Sequence, residues 1–371
     1  MQRRGTLVCV SVLVAGLLWP WSAHAGCGQS FCTIDARVGP AAPLLGGQLR
    51  FDTNVEYIEQ DQPWVGYHPV GVGAIARPDH QEVETTNVTW KLLTELAIGD
   101  HWSASVLLPV VHREHLHLEA VDGDHAHRHR RNRTARSARS DDPYDDPFDD
   151  EDTETIDHAT GVPQRWDFTR VGDLQLVGRY TLLRALVPGE FGACLFAGLK
   201  LPTGDTNVRN GDGEEAELTL QPGTGSVDPI FGADVRSLFA VPGLRGAPVT
   251  LPAFAGVFVK TPGSDGSHGY RPGTDLLVNV GGSYPLATRL FAQGQINFRY
   301  RDRDHVGNAP GVRREDTGGE YLYLSPGLSV TPTDRLAGYA YVQIPVMQRV
   351  NGIQLVSEWN LLVGLNYVFD I

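Results

Sequence analysis

The chain has 371 residues and a formal net charge of −13, with 42 glycines and 24 prolines scattered along it. That much Gly and Pro excludes a coiled coil, and the lack of a three-residue glycine period excludes collagen. The acidic balance disfavours nucleic acid as a partner, because phosphates call for Lys and Arg.

Residues 1–25 read as a cleaved secretory signal peptide. Arg3 and Arg4 form a basic start, an apolar run spans residues 6–19, and Ala23-His24-Ala25 is a small-residue cleavage site. The run falls short of the roughly 20 apolar residues a membrane helix needs, and no other stretch supplies them. Residues 26–46 follow as a periplasmic segment and candidate plug. Cys27 and Cys32 lie close together there, and in an exported chain they read as a disulfide loop. Cys194 sits in an apolar run and reads as a small buried side chain.

From residue 47 to 371 the dominant period is two. In 289–301 the residues Leu290, Ala292, Ile296, Phe298 and Tyr300 share one face, and Gln293, Gln295, Asn297, Arg299 and Arg301 share the other. Successive side chains of a strand point to opposite faces, so this is a strand with one apolar and one polar side. The spacing predicts twelve strands, at 49–58, 88–96, 102–111, 174–182, 191–201, 226–239, 248–260, 275–284, 289–301, 319–331, 335–346 and 358–369. A soluble β-sandwich would also alternate. These strands, however, mostly match the length of a tilted bilayer crossing rather than the shorter soluble norm. Short turns near 98–101, 183–190, 240–247, 285–288 and 332–334 also take turns with long loops near 59–82, 112–165, 202–225, 261–274, 302–318 and 347–357. The expectation is therefore an all-β, antiparallel, up-and-down transmembrane barrel with an even strand number and both ends in the periplasm. Trp90, Trp102, Trp166, Trp359, Tyr57, Tyr180, Tyr300 and Tyr367 fall near strand ends, where aromatic girdles sit.

The polar faces assign a lumen. Arg50, Glu56, Lys91, Glu95, Arg179, Arg299, Arg301 and Glu358 are its charged residues, and Phe254, Phe258, Tyr339 and Tyr341 its aromatic ones. Twelve strands lie between filled barrels of about 8 and open porins of about 16. Two readings stay open: a lined path for a small solute, or a closed barrel with its charges paired.

The expected external loop at 112–165 is unusual. His112, His115 and His117 open it, His125, His127 and His129 follow among arginines, and an acidic run from Asp141 to Glu154 comes next. His-x-His in an extended chain puts both rings on one face, which suits Zn, Cu or Ni. A solvated loop with attracting charge blocks is the other reading.

Several motifs recur in one known family. They are Gly172-Asp173 before Gly178-Arg179-Tyr180, then Gly198-Leu199-Lys200-Leu201-Pro202-Thr203-Gly204-Asp205, and Gln221-Pro222-Gly223-Thr224-Gly225-Ser226 followed by Asp228-Pro229. In these the chain resembles the bacterial outer-membrane barrels of the meta-pathway phenol-degradation family, which are porin-like. The resemblance implies export to the outer membrane of a Gram-negative cell and uptake of aromatic compounds, and it brings no catalytic residues. Read by themselves, the motifs end strands and turn loops. No Gly-x-Ser-x-Gly elbow or His-Glu-x-x-His helix is present, so no enzyme is expected. The resulting expectation is a passive channel for small, aromatic or hydrophobic solutes, with lipid as its surroundings and no cofactor. The alternative is a non-conducting barrel whose His/Asp-rich loop binds a divalent metal or a partner.

Overall fold

The computed structural model describes residues 25–26, 34, 44–75, 80–120, 161–185, 187–242, 248–309 and 311–371. Most of the signal peptide, Cys27, Cys32, His125, His127 and His129 lie outside the described residues.

Twelve strands close one antiparallel barrel in chain order. They are β1 (Gln48–Gln60), β2 (His80–Ile98), β3 (Trp102–Ala120), β4 in two parts (Gly161–Val171 and Gln175–Leu183), β5 (Phe191–Lys200) and β6 (Asp228–Pro242). The circuit continues with β7 (Pro248–Lys260), β8 (Asp275–Ala287), β9 (Leu290–Arg301), β10 (Thr317–Val330), β11 (Leu336–Val356) and β12 (Asn360–Asp370). β12 returns to β1, with Asn360 opposite Ile58 and Asp370 opposite Gln48. At this rim the Ile371 N–H donates to the Gly47 carbonyl at 2.8 Å.

Burial runs opposite to that of a water-soluble protein. On β9 to β11 Asn297, Ser325 and Gln343 are fully buried, while their neighbours Ile296, Leu324 and Ile344 are exposed. Apolar side chains outside and amides inside are what a hydrocarbon surround selects, and closure removes the sheet edges that lipid cannot satisfy. Trp359 packs on Tyr57 at 5.7 Å between ring centroids near one rim, and Trp102 packs on Tyr180 at 4.7 Å near the other.

Three strands run to nearly twice a bilayer crossing of about 9–11 residues. β2 and β3 each have 19 residues and β11 has 21. This corrects the expected loops. Residues 112–120 and 161–165 are strand, because β2 and β3 stay paired as far as His80 opposite Glu119 and β3 pairs with the first part of β4. Residues 347–356 are strand as well, since Val350–Val356 pairs with the short strand Gln62–Gly66.

β4 breaks at Gly172–Leu174. Its second part completes the wall beside β5. Its first part pairs with β3, and the 201–227 segment packs against it, so that Trp166 and Phe168 meet Val208, Ala216 and Leu220. Trp166 is therefore no girdle residue. It is buried, and its Nε1–H donates to the Glu214 carbonyl at 3.1 Å.

Candidate functional site: the barrel lumen

The lumen holds a cavity of about 340 Å³. Its lining mixes apolar and polar side chains. β2, β3 and β4 present Leu93, Leu107, Pro109, Val111 and Val177, with Phe258 and Leu277 further round. Among them stand Asp52, Asn54, Glu56 and Lys91 from β1 and β2, Arg113 from β3, Asp173 at the β4 break and Lys200 at the end of β5. Ile34, from the segment before the barrel, also reaches the cavity and packs on Tyr339, Tyr341 and Leu362.

The charged groups pair across short distances. Glu56 meets Lys91, and Asp52 accepts a hydrogen bond from the Tyr339 hydroxyl at 2.9 Å. Towards the short-turn rim Arg50 lies 3.3 Å from Glu95. There Asp234 joins Arg179, whose guanidinium lies 5.0 Å over the Phe196 ring. Higher up, Arg299 grips Asp275 with two donors at 2.9 Å, and Arg301 bonds Asp304 at 2.9 Å. Paired charges in a confined lumen leave dipoles rather than bare ions along the path.

The three family-like motifs meet at one knot. Lys200 Nζ donates to Asp173 at 2.8 Å, lies 2.9 Å from Asp228, and also bonds the Thr224 hydroxyl and the Ser226 carbonyl. The N–H groups of Gly204 and Thr224 donate to the Asp173 carboxylate at 3.0 Å each. The knot draws Gln221, Pro222 and Thr224 into the cavity wall. Glycine is needed here, because a Cβ on Gly223 would meet the Gly204 carbonyl.

The expected luminal residues fall as follows. Glu56, Lys91 and Phe258 line the cavity. Arg50, Glu95, Arg299, Arg301, Phe254, Tyr339 and Tyr341 are buried, and Arg179 is half-buried in its ion pair. Glu358 is a correction: it is exposed in the connection between β11 and β12, beyond the strand alternation that would have aimed it inward. The apolar stripe of the cavity was not assigned from sequence. Residues 106–111 read Val-Leu-Leu-Pro-Val-Val, which is apolar on both faces and so gives no parity.

The histidines also separate. His115 and His117 point inward from β3, where His117 stacks on His80 of β2 at 4.5 Å. His112 has the opposite parity. It is part-exposed and lies 3.5 Å from Glu114 and 3.8 Å from Asp167, so it does not join the other two. His80, Glu82 and Glu217, which the sequence reading passed over, do stand beside them. The available hint was His80-Gln81-Glu82, an alternating pair of donors like that of His115 and His117. This cluster lies past the bilayer-crossing part of the strands. Burial works against a charged His80 ring, but hydrogen bonds and charge from Glu217 and Glu82 outweigh it and push the imidazole up to about 10. Burial lowers His115 and keeps it neutral.

No protein-family model and no curated protein matches the sequence. Solved structures do. The fold is similar to an outer-membrane channel of Pseudomonas putida F1, with 13% identity and a TM-score of 0.54 over 91% of this chain and 100% of that one. A Pseudomonas aeruginosa FadL homologue aligns at 10% identity and TM-score 0.33, over 87% of this chain and 89% of that one. A deltaS2S3 mutant of TodX, a monoaromatic hydrocarbon channel, aligns at 10% identity and TM-score 0.37, over 94% of this chain and 97% of that one. Of these three the first alone exceeds 0.5, and what it supports is the fold: a transmembrane β-barrel of the outer-membrane kind.

Proposed function

We propose that the chain is an outer-membrane channel, exported by a cleaved signal peptide, through which small aromatic or apolar solutes bearing one polar end move down their gradient. The mixed apolar and polar lining of the cavity carries this reading. Leu93, Leu107, Val111 and Phe258 offer a ring its apolar contact, and Asp52, Asn54, Glu56 and Lys91 offer its polar end hydrogen bonds. Its size supports a one-ring solute, as it lies near the low end of the roughly 300–1,000 Å³ typical of ligand pockets. The Pseudomonas putida channel shares the fold, and the monoaromatic channel gives the solute class to try first.

The test is protein-dependent uptake by proteoliposomes, over that of protein-free liposomes, of a one-ring aromatic carboxylate, whose charge slows its passage through lipid, and of a sugar of similar mass. The aromatic solute is expected to enter faster. Leu107→Trp, which fills the cavity, should slow the protein-dependent part about tenfold, a rise of about 1.4 kcal/mol in the barrier. Val363→Trp on the outer face should leave it unchanged. Equal entry of both solutes, or a Leu107→Trp channel as fast as the parent, overturns the reading.

A further inference from the structure

The cluster at the outer end of β2 and β3 is built unlike any other polar group of the lumen. His80 and Glu82 come from β2, His115 from β3, and Glu217 drops in from the 201–227 segment, where a tight turn bonds the N–H groups of Leu220 and Gln221 to the Glu217 carbonyl at 2.8 and 3.1 Å. A bulge between Glu82 and Glu84 re-phases β2, so that Glu82 and Thr85 both face inward. The side chain of His115 is fully buried, and its Nε2 has no hydrogen-bond partner among the described residues. An imidazole nitrogen buried without a partner calls for an explanation, and an absent ion is one.

Three ligand atoms are spaced for a metal: those of His80, Glu82 and Glu217 all lie within 4.8 Å of one another, with His80 Nε2 3.3 Å from Glu82 Oε1 and 2.9 Å from Glu217 Oε1. His115 Nε2 stands outside this trio, 3.7 Å from the second Glu82 oxygen, Oε2, and would have to turn in as the fourth ligand. Ligands about 2.0–2.2 Å from a tetrahedral zinc stand roughly 3.3–3.6 Å from one another. The outer shell fits too. His115 Nδ1 is 2.8 Å from the Thr85 hydroxyl, which leaves Nε2 as the ligating nitrogen. His117, stacked on His80 and edge-on to Trp166 at 4.8 Å, walls the other side. Two cations stand near, and both are engaged: Arg113 spends its guanidinium on Asn87 at 2.6 Å and on the Leu220 carbonyl, and Arg313, beside Glu82 and Glu217, bonds Glu315 at 2.6 Å.

We propose that His80, Glu82, His115 and Glu217 bind one divalent cation with the coordination habits of zinc. Two imidazoles and two carboxylates form a neutral complex with such an ion, and the set suits a borderline metal better than calcium or magnesium. The bound ion clamps the 201–227 segment to the barrel wall above the cavity. This inference does not depend on the channel reading, and the flux measurement above neither supports nor weakens it.

The test uses the full chain in detergent micelles, stripped with a chelator and titrated with Co²⁺, then with Zn²⁺. The expected signal is one equivalent of Co²⁺ with the visible bands of tetrahedral coordination, displaced by Zn²⁺. His115→Ala should abolish the bands, and Glu217→Gln, which keeps the shape of the side chain, should remove them without unfolding. Thr85→Ala should weaken binding by about 10- to 100-fold, as loss of an outer-shell partner does. The combined change His125→Ala, His127→Ala and His129→Ala should alter nothing. Tetrahedral bands that persist in Glu217→Gln, bands lost with the three distal histidines, or no bands in the parent chain each overturn the site.

Discussion

Two buried polar clusters flank the same 201–227 segment, and they differ in what stands at the centre. At Lys200 an ammonium bonds Asp173, Thr224 and Ser226 and lies 2.9 Å from Asp228, which also accepts from the Ser226 hydroxyl at 2.8 Å. At His115 the buried Nε2 has no hydrogen-bond partner among the described residues, and its neighbours are imidazoles and carboxylates. A network built round a cation fixes one conformation in a low-dielectric interior. A set of imidazoles and carboxylates is of metal-ligating type. Each cluster holds a buried polar atom without a hydrogen bond among the described residues, Asp228 Oδ2 in the first and His115 Nε2 in the second, but only the first has its own ammonium between its carboxylates.

The sharpest way to break the comparison is to leave the fastening incomplete. Lys200→Met strands Asp173 and Asp228 without their cation, and the expected loss is about 3–5 kcal/mol in urea unfolding followed by tryptophan fluorescence. A loss below 1 kcal/mol, on the order of an exposed pair, would make the knot ornamental. A smaller effect, about 1–3 kcal/mol, is expected from Gly223→Ala, whose added methyl meets the Gly204 carbonyl. The gentlest probe is pH, applied to chelator-treated protein. The folded state holds its His80 proton to about pH 10, against an ordinary value of 6.5. The unfolded chain gives that proton up first, so the stabilisation is complete below about 6.5, shrinks above it and is gone beyond about 10. The urea midpoint of the parent should fall over that window more steeply than that of His80→Asn. Parallel curves would refute the assignment.

The strand plan was legible because a barrel wall has one wet and one greasy face, and strands such as Leu290–Arg301 write that difference residue by residue. Legibility failed where the two faces are alike. Residues 106–111 are apolar on both, so the part they play in the cavity lining went unseen. Past the bilayer, β2 and β3 carry polar side chains on both faces, so His80–Glu82 and His112–His117 read as loop. His112 was grouped with His115 by residue type, but their odd separation puts them on opposite sides of β3. Glu217 could not be found by period at all, because it lies in a segment without regular structure that is held in place by Asp173 and Trp166 from elsewhere in the chain and by Gln221 within the segment.

The pairing of β12 with β1 has a consequence for biogenesis. Gln48 and Asp370 are 322 positions apart, yet the Gln48 amide donates to the Asp370 carboxylate at 3.0 Å. Such remote partners meet late and slowly. A chain cut short before Asn360 would keep two raw strand margins, one at each end of an open ribbon, and raw margins invite stacking with other copies. The cylinder is thus shut by a strand made after the other eleven, so a half-synthesised copy cannot pass for a finished one.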